Sequence, residues 1–314
     1  MPPIYILHEN SEWIVPLHEA FKQRQESAKE MFLDQGVVDL AAIPPEGIFY
    51  NRMSASSHTR GHRYAPELTR SVLTWLESHG RRVINNSRAL YFEVCKVSQY
   101  AALESCGINT PRTIVAVGKT QVIEAAECFA GEPFILKPNR GGKGLGVQLF
   151  KSINELKDYL VCEDYEAPLD GTWLVQAYVH AAENHITRCE FVGGKFVYSV
   201  NVNTEQGFEL CPADSCQISE QVCPATAPSH KFNISHEFDR HEIITRYETF
   251  LQKNQIEIAG IELIKDIHGQ LYTYDVNTNT NYNRRAELEG GVPLTGMDAI
   301  AEFLIQTRDA QYKT

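Results

Sequence analysis

Several absences narrow what this 314-residue chain can be. It has no run of 18 apolar residues, so no membrane-spanning helix is expected. MPPIYILHENSEW, at its start, has no basic stretch followed by an apolar core, so no secretory signal is expected either. Its eight cysteines form no CxxC pair, which argues against the common zinc and redox patterns and for a reducing, cytoplasmic setting. Cys211, Cys216 and Cys223 are the only cluster, and their spacing suits no common zinc motif. Basic residues are in deficit, 29 against 40 acids, for a net charge of −11. Such a charge argues against sequence-independent nucleic-acid binding, which needs a basic face, although it remains compatible with a basic peptide. No internal repeat or low-complexity tract is present. The rest is an ordinary globular composition, long enough for two domains or one domain of two lobes.

Residues 4–7 read as a short apolar strand. After Ser11, an N-cap candidate, helical spacing runs to about Phe32. Strands are expected at 47–51 and 81–85, flanking a helix from Pro66 to His79 that carries Leu68, Val72, Trp75 and Leu76 on one side. This alternation predicts a small α/β domain with a parallel sheet. A helix is expected over about 89–106, ended by Gly107 and Pro111. Beyond it the texture changes to strands broken by glycine: TIVAV, PFILKP, GVQLF, TWLVQAYV, ITRCEFV, KFVYSVNV, GIELIK and LYTYDVN. These predict antiparallel hairpins with two helices between them, an α+β lobe, and a last helix over about 295–307.

The densest chemical signal is FILKPNRGGKGLGVQLF, residues 134–150. Gly141, Gly142, Gly144 and Gly146 surround Lys143 and Leu145. No Ser or Thr follows the lysine, so this is no P-loop, and the glycines lead into a strand rather than a helix. Strand, glycines, strand predicts a hairpin flap that can lay backbone N–H groups over phosphates. Lys137 and Arg140 add positive charge.

A second signal is GIELIKDIHGQLYTYDVNTNTNYN, residues 260–283. A two-residue turn at His268-Gly269 would set Glu262 directly opposite Asp275, with Asn277 on the same face and Ile261, Leu263, Tyr274 and Val276 on the reverse. Facing carboxylates repel, and a divalent cation with a taste for oxygen, Mg²⁺ or Mn²⁺, would relieve them. The third signal is the loop NRMSASSHTRGHRYAPE, residues 51–67. Arg52, His58, Arg60, His62 and Arg63 cluster there after a strand, where open α/β sheets bind ligands, and arginine suits a carboxylate.

A flap for phosphates and an acidic hairpin for magnesium together imply a nucleoside triphosphate site. From about residue 85 onward the chain resembles the ATP-grasp superfamily and, within it, the RimK-like amino-acid ligases. The resemblance implies nucleotide-binding lysines at Lys96 and Lys137, phosphate contacts from Gly141, Gly142, Lys143 and Gly144, and an adenine hinge at Gln176, Tyr178 and Val179. It further implies Arg188 at the phosphate or substrate, with Asp275 and Asn277 as metal ligands and Glu262 as a further metal-binding acid. Three features depart from the family pattern. Ala177 replaces an acid in the hinge, and Ile186 stands where an Asp usually holds ribose, leaving Glu183 as the substitute. Family arginine after the central strand is missing too, with Asn201 and Asn203 near its place.

The implied fold is an N-terminal pre-ATP-grasp α/β domain (1–88), a central lobe with the flap (89–172) and a C-terminal lobe with the metal hairpin (173–314). The implied activity is ATP-dependent ligation of a carboxylate to an amine through an acyl phosphate, with Lys137 and Arg188 in the catalytic roles and ATP and Mg²⁺ (or Mn²⁺) required. The substrate is expected to be an amino acid or peptide, held by Arg52, Arg60, His62, Arg63, Asn203 and Arg284, with neither nucleic acid nor membrane as partner and a homo-oligomer compatible. A phosphotransferase on the same fold and an inactive nucleotide-binding regulator are the alternatives.

Overall fold

The computed structural model describes residues 1–129, 131–142, 144–163, 165–204 and 231–312. Three sheets follow one another along the chain. The first contains β1 (Ile4–His8), β2 (Ala28–Phe32), β3 (Ile48–Asn51) and β4 (Arg82–Ile84), all parallel in the order β2-β1-β3-β4. Ile4, Ile6, Ile48 and Phe49 are fully buried, as expected of strands covered on both faces. Helix Ala65–Ser78 packs Val72, Leu73 and Leu76 against this sheet.

The helical spacing expected up to Phe32 breaks early. A 3-10 turn over Glu12–Ile14 leads into a helix that stops at Gln23, and Gln25 takes a left-handed φ of 57°. The chain then returns as the edge strand β2, whose pairing with β1 outweighs its helical periodicity. The helix expected over 89–106 is likewise two, Ser87–Glu93 and Lys96–Ser105. Cys95 between them is extended, and Asn139 caps the second helix by accepting Lys96 N–H at its carbonyl (3.3 Å) and Val97 N–H at its side chain (3.0 Å). This break fixes Lys96 at a helix start facing the middle of the molecule.

The second sheet is antiparallel, ordered β5 (Thr113–Val117), β8 (Thr172–Ala177), β6 (Phe134–Pro138), β7 (Gln148–Phe150). Because β8 pairs on both sides within it, a lobe division at 172 would split the sheet; we place the division after Ala177. The third sheet is also antiparallel: β11 (Phe232–Ser235), β10 (Lys195–Asn203), β9 (His185–Val192), β12 (Ile258–Lys265), β13 (Leu271–Asn277). Helix Glu242–Lys253 covers one face with Tyr247, Phe250 and Leu251, and it belongs to the lobe for which only two helices were expected, in addition to Lys119–Glu127 and Ile153–Val161. The last helix, Gly296–Tyr312, runs five residues beyond the expected end. It returns to the first sheet, where Ile300 and Leu304 share a core with Ile4, Ile6 and Leu17. Among the described residues no helix is long and apolar enough to cross a membrane.

Candidate active site

A cleft with about 1450 Å³ of space, its open mouth included, lies between the second and third sheets, with the loop after β3 along one side. Lys137 on β6, Arg188 on β9, Glu262 on β12, and Asp275 and Asn277 on β13 all line it, as does Lys96 from the start of its helix.

The β12–β13 hairpin reaches the expected pairing by an unexpected route. Its connection is not a two-residue turn: Asp266 N–H donates to Gln270 O, and the Asp266 carboxylate accepts from His268 and Gln270 N–H. Lys265 therefore pairs with Leu271 and Leu263 with Thr273, one residue out of the expected register. A bulge at Tyr274 then restores it, so Glu262 faces Asp275 and Gly260 faces Asn277. Ile261, Leu263 and Val276 enter the core as expected, but Thr273 is buried beside them and Tyr274 is turned onto the cleft.

The charges in the cleft are internally paired. Lys96 Nζ bonds Asp275. Arg188 donates from Nε to Glu190 (2.6 Å), from Nη1 to Glu262 (3.1 Å) and from Nη2 to Thr280 Oγ1 (2.5 Å). Burial works against the guanidinium's charge, yet Glu190 and Glu262 more than offset it. Burial also pushes both carboxyls upward; Arg188 opposes this at each, while Asp275 adds to the shift at Glu262. Gly260 makes the arrangement fit, since a Cβ there would stand 2.5 Å from Nε and Nη2 of Arg188.

Lys137 is almost fully buried between the rings of Tyr100 and Tyr274, donating to Tyr100 Oη at 2.5 Å. Burial and the neighbouring Lys96 bring its amine down to about 7. Among the described residues no three His, Cys, Asp or Glu side chains gather as a metal cluster. The hairpin offers two carboxylates and the amide of Asn277, whose Nδ2 donates to Glu262 at 3.4 Å.

The flap residues Gly141, Gly142 and Gly144 line the cleft, with Gly144 at φ 75°, while Lys143 lies outside the described residues. The root of the flap is tied to the first domain by Arg140, which donates to Glu67 (2.6 Å) and to Arg63 O (3.2 Å). Gln176, Tyr178 and Val179 form part of the cleft wall; Gln176 Nε2 donates to Thr113 Oγ1 (2.7 Å) and Tyr178 N–H to Pro133 O (3.3 Å).

Other expected site residues lie elsewhere. Glu183 and Asn203 line a separate shallow depression with Asn184, His185, Asn201 and Asn233, so Glu183 does not reach the cleft. Arg60 and His62 are both held by Glu9, a buried acid just after β1, and Arg60 also lies over Trp13. Arg63 is exposed over Tyr64, and Arg284 is a surface partner of Glu19. Arg52 is buried, bonded to the loop after β13. Arg60 and His62 are thus engaged from within rather than open to an anion. Cys211, Cys216 and Cys223 lie outside the described residues.

Besides Glu9, two buried glutamates were missed. Glu93 accepts from Ala55 N–H (3.1 Å), Thr278 N–H (2.7 Å) and Thr278 Oγ1 (3.0 Å), joining the first domain to the loop after β13. Glu190 was legible as the partner of Arg188, since residues two apart on a strand share a face.

Residues 95–211 match the model of the RimK-like ATP-grasp domain. A probable alpha-L-glutamate ligase of Desulfotalea psychrophila is 28% identical over 190 residues, covering 59% of this chain and 40% of that relative. The crystal structure of a RimK domain protein ATP-grasp from Sphaerobacter thermophilus superposes with a TM-score of 0.63 at 17% identity, covering 96% of this chain and 99% of that one. An ATP-grasp ligase solved with a minimal precursor, Mg and ADP gives a TM-score of 0.66 at 14% identity, covering 97% of both chains. The resemblance read from the glycine flap and the acidic hairpin is borne out: the chain has the ATP-grasp fold, and residues 95–211 match the RimK-like ATP-grasp domain.

Proposed function

We propose that the chain is an ATP-dependent ligase joining a carboxylate to an amine, with an amino acid or peptide among its substrates. The observation that carries this reading is the convergence of Lys96, Lys137, Arg188, Glu262, Asp275 and Asn277 on one cleft beneath a glycine-rich flap. The relatives named a glutamate ligase and a precursor-bound ligase support the substrate class.

A carboxylate is a poor electrophile. Transfer of the γ-phosphoryl group to it gives an acyl phosphate and ADP; attack by an amine then forms the amide, releases phosphate and loses the amine's proton. Lys96 and Lys137 would hold phosphate oxygens, and Arg188 would stabilise charge at the transferring group. Gln176, Tyr178 and Val179 are proposed to hold the adenine. Flap glycines at 141, 142 and 144 would cover the phosphates and keep water from the acyl phosphate. No protein nucleophile is required.

Glu262, Asp275 and Asn277 fit Mg²⁺, a hard cation that takes a few protein oxygens and keeps water and phosphate for the rest. Bound there, the ion would supply Lewis-acid neutralisation of phosphate charge. Both acids now face cations of the protein. A cation and a polyphosphate arriving together would give each of these four groups a new partner.

Asp275→Asn and Lys137→Ala are expected to reduce ADP formation at least a hundredfold while far-UV circular dichroism stays unchanged. Full turnover in both variants would remove the assignment of this cleft.

A further inference from the structure

Arg52 is 2% exposed, and among the described residues no carboxylate pairs with it. Its guanidinium bonds only neutral groups: Asn279 Oδ1 (3.1 Å), Asn281 Oδ1 (2.8 Å), Thr280 O (2.9 Å), Trp13 O (3.4 Å) and the Met297 sulfur (3.8 Å). A buried cation ordinarily sits beside an acid. This one sits behind two amides.

A guanidinium has donors and no acceptor, so each asparagine must turn its oxygen toward Arg52 and its Nδ2 away. Both asparagines line the cleft beside Ser54 and Ser56. Neither Nδ2 has an acceptor among the described residues, and neither is sealed from solvent. Alternation in the loop explains their placement. Thr278 is anchored to Glu93 and Thr280 to Glu190 (2.8 Å), while Asn277, Asn279 and Asn281 fall on the cleft side.

We propose that the Nδ2 groups of Asn279 and Asn281 seat a carboxylate of the substrate, with Arg52 as the positioning residue behind them. Two N–H donors held in one orientation match the two oxygens of a carboxylate. The guanidinium behind them, which no carboxylate bonds among the described residues, favours an anion over a neutral carbonyl group, with Glu93 engaged by the backbone N–H of Asn279 (3.3 Å). Arg52 thus serves anion recognition through two amides rather than by direct contact. The inference rests on the ligase reading, which brings a carboxylate to this cleft.

The test is saturation-transfer NMR on the full chain without nucleotide, titrating acetate and its neutral analogue acetamide. The wild type should bind acetate about tenfold or more tightly than acetamide. Asn281→Asp keeps the shape and gives Arg52 a carboxylate, so it should fold with an unchanged or higher melting temperature yet lose the acetate preference. Arg52→Lys keeps the charge without the planar fork and should lower the preference severalfold, an effect that a purely structural role would not produce. Equal binding of the two probes in the wild type, no binding of either, or an acetate preference that survives in folded Asn281→Asp overturns the proposal. Failure of the ligase reading would show instead as absent ADP formation, which leaves the acetate-to-acetamide ratio unmoved.

Discussion

Gly260→Ala is the sharpest test of how the cleft is held. The new Cβ would stand 2.5 Å from Nε and Nη2 of Arg188 and 2.7 Å from Cζ, inside any tolerable contact. A free arginine would swing away at little cost, but this one is anchored by Glu190, Glu262 and Thr280. Losing two of those three charge-assisted bonds, at about 1.5 kcal/mol each, costs about 3 kcal/mol. Glu190 is then left buried without its cation, which raises the cost further. In a chain of this size, about 3 kcal/mol corresponds to a drop in melting temperature of about 5–10 °C. Calorimetry of the variant measures it. On an Arg188→Ala background the same change should be neutral or slightly stabilising, because only the flexibility of glycine is then removed. An unchanged melting temperature, or an equal loss on both backgrounds, would refute the reasoning.

Lys137 supplies a pH prediction. With its amine near 7 in the folded protein against about 10.4 in the unfolded chain, the unfolded state binds more protons between these values, so its contribution to stability rises with pH across that window. Bound polyphosphate should restore the ammonium form, so ADP binding at pH 8 should take up a proton, seen as buffer-dependent heat in titration calorimetry; Lys137→Met should abolish this part. Glu93→Ala strands the N–H groups of Ala55 and Thr278 and should cost about 3 kcal/mol or more in thermal melts. Glu67→Gln, by contrast, loosens a pair in which the acid is 42% exposed, and the melting temperature should move by no more than about 2 °C.

Much of the cleft could be read from the sequence because its parts are local. The flap is a single run of glycines and cations, and the acidic hairpin a single pair of strands. Even there the turn was misjudged. The pairing of Glu262 with Asp275 survived because the longer connection and the bulge at Tyr274 shift the register by one residue in opposite senses. Tyr274, assigned to the core, came out on the other face for the same reason. The basic loop shows the opposite limit. Its cluster of cations was plain, but Glu9, which holds two of them, lies about 50 residues away on another strand end. Arg52 finds its two asparagine partners more than 220 residues downstream. Helical periodicity overreached at 24–32 and across Cys95, where pairing with β1 and capping by Asn139 decided the outcome. Periodicity carries no information about either partner.

The most direct measurement is the mass of the product formed with Mg²⁺-ATP across pools of amino acids and short peptides, with ADP and phosphate followed in parallel. The ligase account predicts ADP and phosphate in equal amounts and a product equal to acid plus amine minus water, lost in Asp275→Asn. ADP with a product heavier by one phosphoryl group, and no free phosphate, would contradict it in favour of a phosphotransferase.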